Sequence, residues 1–147
     1  MFEDEAAELI YSSHVLEYFD RIEARAVLNE WKRVLCPGGT LRVAVPDFQS
    51  LAELYSRDCR LDSILGPLYG RMESGGTVIY HKTVYDFQSL QRLLAHCGFR
   101  EVRRYEWRET IHAAVDDHSQ AYIPHMDKEH GNLISLNVEC IKPVAEG

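Results

Sequence analysis

Glu8-Leu9-Ile10-Tyr11-Ser12-Ser13 and Leu41-Arg42-Val43-Ala44-Val45-Pro46 bracket the stretch that decides the fold. The first reads as a short strand. The second is a nearly continuous apolar run stopped by proline, as expected of a strand buried on both faces of a parallel sheet. Between them Asp20 stands three residues before Glu23, a capping-box arrangement that predicts a helix start. The helix that follows sets Val27, Trp31, Val34 and Leu35 on one face. It ends at Cys36-Pro37-Gly38-Gly39, where proline cannot continue a helix and glycine accepts a left-handed turn. Strand, capped helix, tight turn and buried strand make one βαβ unit with a right-handed crossover.

Outward from this unit the pattern stays mixed. Residues from about Phe48 to Tyr69 are helical in period, with Leu51, Leu54 and Tyr55 on one side and Leu61, Ile64, Leu65 and Leu68 on another; Gly66-Pro67 interrupts the second piece. Arg71 to Thr83, carrying Gly75-Gly76, reads as a loop. A helix resumes near Asp86, with Leu90, Leu93, Leu94 and Cys97 on one face, and Gly98 closes it. Phe99 to Trp107 is a weakly alternating strand. Leu133 to Lys142 alternates cleanly, with Ile134, Leu136, Val138 and Cys140 against Ser135, Asn137 and Glu139. It is expected to be half-buried and antiparallel to the strand before it. Arg108 to Asn132 is a long polar connection, and loops of that length tend to be functional or mobile.

The chain has 147 residues, 46% of them hydrophobic and 27% charged, which suits one globular domain with a real core. Its net charge of −7 would repel a polyphosphate backbone, so nucleic acid is not the expected partner. Arg100, Arg103, Arg104 and Arg108 read as the solvated face of a strand. The longest apolar runs fall short of a membrane span. Four well-separated cysteines without a C-x-x-C pair argue against a zinc knuckle or a thioredoxin-like site, and point to buried thiols in a reduced, cytoplasmic protein.

Ser12-Ser13-His14-Val15-Leu16-Glu17-Tyr18-Phe19 resembles the segment after the fourth strand of class I S-adenosylmethionine-dependent methyltransferases that act on small molecules. Asn29-Glu30-Trp31-Lys32-Arg33-Val34-Leu35-Cys36-Pro37-Gly38-Gly39-Thr40-Leu41 is similar to that family's helix and turn into its fifth strand. Val45-Pro46-Asp47-Phe48, Leu93-Leu94 with Gly98-Phe99, and Ser135-Leu136-Asn137-Val138-Glu139 continue the likeness in order to the end of the chain. The fold this implies is α/β: part of a Rossmann-like sheet, two parallel strands plus an antiparallel pair, with flanking helices. The implied extent is one methyltransferase-like domain over residues 1–147, from the equivalent of the fourth strand onward.

The resemblance also carries a departure. The family's glycine-rich turn after its first strand and the ribose-binding acid after its second have no counterpart, and no G-x-G occurs in this sequence. The expectation is therefore a methyltransferase-like chain with little or no activity alone, not holding S-adenosylmethionine tightly. A repurposed dimeric binding module, or one part of a split enzyme, are the alternatives. With the preceding strands missing, the opening strand would be an apolar edge inviting a homodimer.

Ligands in open parallel sheets gather outside the carboxyl ends of the strands. That rule points to Ser13 and His14 after the first strand, and to Pro46 and Asp47 after the second. By resemblance Ser13 and His14 face the cofactor, and Pro46 and Asp47 the substrate; alternatively His14 only closes the strand end. His81 and the Asp117-His118 pair are candidate catalytic groups, as a general base or an orienter of a substrate hydroxyl, or else they anchor loops. His112, His118, His125 and His130 lack any tight ligand spacing, so no metal is expected.

Overall fold

A computed structural model describes residues 1–145. Four strands form the main sheet in the order β1 (Ala7–Ser13), β2 (Leu35–Pro46), β8 (Ser135–Ile141), β5 (Arg100–Arg104). β1 and β2 are parallel, joined by α1 (Glu23–Val34); β8 runs antiparallel to both β2 and β5. The α/β reading and its strand directions are borne out, and β1 is an edge strand among the described residues.

The capping bonds at α1 are those the sequence implies. Asp20 accepts from the Ile22 and Glu23 N–H groups, and Glu23 reaches back to the Asp20 N–H. The buried stripe keeps Val34 and Leu35 and differs over the earlier turns. Ala24, Leu28 and Val34 are enclosed, while Val27 and Trp31 lie half-buried at its flank. The Cys36–Gly39 turn is absorbed into extended backbone at the start of β2. Gly38 there takes φ +79°, and the pairing jumps from Ala7 with Leu35 to Leu9 with Thr40.

α2 (Phe48–Asp58) and α3 (Asp62–Tyr69) follow. Pro67 lies inside α3 and does not interrupt it, contrary to expectation. Arg71 to Thr83 is not a plain loop. Gly75 and Gly76, at φ +57° and +79°, turn a hairpin of β3 (Met72–Ser74) and β4 (Thr77–Ile79). Two successive positive φ values are what a tight two-residue hairpin turn requires. α4 (Phe87–His96) starts in a full capping box between Asp86 and Ser89, and Gly98 at φ +85° closes it.

The two faces of the sheet differ in chemistry. Ile10, Leu41, Val43, Val45, Leu136, Val138 and Cys140 pack against α1 and α4 in the main core. The opposite face carries Tyr11, Ser13, Arg42, Ser135, Asn137 and Glu139. β8 is consequently not half-buried: Ser135 and Asn137 are nearly as enclosed as Leu136 and Val138. The cover over the polar face is the 108–132 segment, built from two 3-10 turns and a short pairing of β6 (Tyr122–Ile123) with β7 (Asn132–Leu133). A second apolar cluster, Leu51, Leu54, Ile64 and Ile134, joins α2 and α3 to this cover. Cys97 and Cys140 are buried, and all four cysteines are free. No helix among the described residues is long and apolar enough to cross a membrane.

Candidate functional site

The carboxyl ends of β1 and β2 gather most of the residues singled out from sequence. His14 continues the β1–β2 pairing through its N–H to the Ala44 carbonyl, at 2.8 Å. It then turns at φ +53°, an uncommon conformation for a non-glycine residue. That turn carries its imidazole toward β8, where Nε2 lies 2.9 Å from the Ser135 hydroxyl. The His118 ring sits 5.4 Å away from it.

Asp117 closes the same end from the covering segment. Its carboxylate accepts from the Tyr11 hydroxyl at 2.6 Å, the Ser13 hydroxyl at 3.1 Å and the Ser119 N–H at 2.8 Å. Burial pushes its carboxyl upward, but the bonds from Ser119, Tyr11 and Ser13 outweigh this and hold it below the usual range. Tyr11 is shifted up, first by burial and then by Asp117. Both oxygens of Asp117 are thus committed to joining the cover to β1. The Tyr11 ring also stacks on His112 at 3.7 Å. Burial and the neighbouring Arg42 hold His112 below its ordinary pKa.

His81 reaches the site from the other side. Its Nδ1 lies 3.1 Å from the Leu68 carbonyl, and its ring stands edge-on to Tyr18 at 4.7 Å. Burial, only partly opposed by Glu17, depresses its pKa. Gly70 makes room for it: a Cβ there would lie 1.8 Å from His81 Nε2. Between His14 and His81 is a residue that sequence reasoning passed over. Glu17 is fully buried, with its Oε1 3.4 Å from His14 Nδ1 and 3.7 Å from His81 Nε2. Its signal in the sequence is its place three residues after His14, the spacing of one helical turn.

Ser13, His14, His81, Asp117 and His118 therefore come to one region, and Asp47, just after β2, also serves as a helix cap. Asp47 caps α2, accepting from the Gln49 N–H and the Ser50 hydroxyl, with Arg104 at 3.6 Å. Pro46 is enclosed opposite Ser135. His125 and His130 stay exposed, apart from the site. Among the described residues no group of three histidines, cysteines or carboxylates is arranged to hold a metal. A cleft of about 550 Å³ lies elsewhere, between α2 and the β6–β7 pair, lined by Glu53, Arg57, Glu106 and Tyr122 among others.

The family model described as a methyltransferase domain matches residues 1–43. A Haloferax volcanii protein solved in complex with the Trm112 methyltransferase activator is 14% identical, with a TM-score of 0.55; the match covers 99% of this chain and 58% of that one. A Methanosarcina mazei S-adenosylmethionine-dependent methyltransferase is 18% identical with the same TM-score of 0.55, over 98% of this chain and 63% of that one. Human N-acetylserotonin methyltransferase, solved with S-adenosylmethionine, is 14% identical at a TM-score of 0.55, over 95% and 30%. Comparison with the curated proteins gives no match. The methyltransferase resemblance is borne out at the level of fold and of the first β–α unit, and this chain spans about three fifths of the first two structures.

Proposed function

From a methyltransferase-like fold with its polar groups gathered at one sheet end, we propose that the chain keeps a small-molecule ligand site derived from S-adenosylmethionine-dependent methyl transfer. The site is the region of Ser13, His14, His81, Asp117 and His118. The carrying observation is that convergence, at the carboxyl ends of two parallel strands, where ligands of open α/β sheets collect. Ser13 and His14 are the cofactor-side contacts in this reading. His81 and His118 are the candidates to receive a proton from a methyl acceptor, and Asp117 positions Ser13. Displacement at a methyl group depends chiefly on alignment of the two reactants, so the histidines assist and are not the whole of catalysis.

The same reading assigns the other half of the cofactor's grip to whatever pairs with β1. No glycine-rich strand-to-helix turn stands in the 147 residues, and β1 presents half-buried Leu9, Ile10 and Tyr11 at the open edge of the sheet. An open apolar edge favours strand addition. A second copy of the chain is the proposed occupant, giving a homodimer with weak cofactor binding and little activity by itself. A separate polypeptide completing the enzyme is the other version. Two buried thiols and the absence of any disulfide among the described cysteines fit a cytoplasmic setting.

Light scattering across a concentration series tests the edge. Dimers that dissociate when a lysine replaces Leu9 support it, and a monomer at millimolar concentration refutes the dimer. Calorimetric titration with S-adenosylmethionine tests the rest. Binding weaker than about 1 mM by the isolated chain, tightened by a polypeptide carrying the glycine-rich unit, favours the split-enzyme version. Micromolar binding by the chain alone would overturn the assignment of the missing grip.

A further inference from the structure

Glu17, His14 and His81 present an accounting problem in protons. Both Glu17 oxygens are buried without a hydrogen-bond partner, and no lysine or arginine pairs with them among the described residues. A lone buried carboxylate is costly unless something neutralises it. The two imidazoles facing it have their outer nitrogens already assigned. The Leu68 carbonyl can only accept, so His81 Nδ1 carries a hydrogen. The Asn137 amide donates to the Ser119 carbonyl, which turns its oxygen toward the Ser135 hydroxyl. Ser135 gives its proton to that oxygen and accepts from His14 Nε2, so His14 Nε2 is also a donor.

With both rings neutral, two lone pairs would therefore point at an ionised, enclosed carboxylate. That arrangement is repulsive throughout, and one proton among the three groups removes the repulsion. We propose that Glu17, His14 and His81 share one proton at neutral pH as a single unit, with Glu17 as the positioning residue that retains it beside the ligand site. The proton lies on the carboxyl or on one of the inner ring nitrogens, and the unit as a whole is neutral. His14, at the carboxyl end of β1, is its outlet toward that site.

The other groups around the unit do not supply this charge. Tyr18 spends its hydroxyl on the Gly70 carbonyl, at 2.7 Å. Lys82 gives Glu17 only a backbone bond, N–H to carbonyl oxygen, and turns its ammonium to Glu23. Arg21 lies over the Tyr85 ring and bonds Thr83 and Val84, and the Tyr85 hydroxyl, pushed up to about 12 chiefly by burial, is itself buried without a partner and carries no charge to offer. Asp20 is engaged at the start of α1, and the His118 ring stands 5.4 Å from the His14 ring with no hydrogen bond to Glu17. Asp117 is committed to Tyr11 and Ser13.

The inference rests on the ligand-site reading for its use, but its test needs no ligand, so either can fail alone. In the unfolded chain Glu17 is ionised above about pH 5 and each histidine titrates near 6.5. Native wild type then holds one proton more than native Glu17→Gln, while their unfolded states hold the same number. By linkage the ratio of their folding constants, wild type over variant, falls about tenfold per pH unit from about pH 7 upward, above the ordinary histidine range, until the unit deprotonates. Using the ratio removes other alkaline losses, such as that of Cys140, whose thiol burial pushes up to about 12. A ratio that does not change with pH overturns the proposal.

Should Glu17→Gln not fold, nitrogen and carbon NMR of the labelled wild-type chain decides the question at pH 7. The expected result is one proton on an inner ring nitrogen or on the Glu17 carboxyl. Two bare inner nitrogens beside an ionised carboxylate refute it.

Discussion

The two faces of the central sheet are built to different rules. One is an apolar layer in which Leu41, Val43, Val45, Leu136 and Val138 meet α1 and α4 with no exposure. The other is a polar layer of tyrosine, serine, arginine, asparagine and glutamate, sealed by the 108–132 segment through side-chain hydrogen bonds. Apolar packing is non-directional and scales with area, whereas the polar face works only if each buried group finds its partner. The first face holds the fold together. The second fixes the positions of chemically capable groups at the strand ends.

Truncation on each side separates these roles. Leu94→Ala, in the fully enclosed core, is expected to cost about 2–5 kcal/mol in urea unfolding. Asp117→Ala strands the Ser13 hydroxyl and leaves Tyr11 only its 3.0 Å bond to the Ser119 hydroxyl, and should cost less, about 1–3 kcal/mol. Equal losses would erase the distinction. Asp117 also predicts an acid limb. Its folded pKa is depressed, so its stabilisation is complete above the unfolded value near 4 and disappears as pH falls through the folded one. Asp117→Asn should remove that part of the limb.

Gly70→Ala probes the site without replacing any of its side chains. The left-handed backbone alone, at φ +52°, makes alanine about 1–2 kcal/mol worse, and the new methyl must displace the His81 ring. An unchanged His81 ring signal would contradict the geometry. Asp86→Ala, which breaks the capping box under the apolar face, should cost about 1 kcal/mol. The smallest effect is expected from Arg103→Ala, about 0–1 kcal/mol, because its bond to Glu139 is made from an exposed side chain. The better-buried Arg42, on the same carboxylate, should cost more.

The apolar face was the legible one. Period and capping residues located β1, α1, β2, α4 and β8, since those signals are local. The β3–β4 hairpin was missed because Gly75-Gly76 sits between strands of only three residues, too short for alternation to register. Propensity alone makes Pro67 an interruption, but α3 carries it within its eight residues. On the polar face Ser13, His14, His81, Asp117 and His118 were each found as chemistry-bearing residues near expected strand ends or loops. Their convergence depends on contacts across about a hundred residues, which no local pattern encodes. Glu17 was lost inside an apolar-looking turn. Asp47 also caps α2, a local role that its place just before a helical period signals.

The most direct test of the account is a titration of the isotope-labelled chain with millimolar S-adenosylhomocysteine, followed by amide and imidazole NMR. The account predicts weak, saturable shifts centred on Ser13, His14 and the covering turn at Asp117 and His118. Shifts confined to Glu53, Arg57 and Tyr122, at the cleft between α2 and the β6–β7 pair, would contradict it.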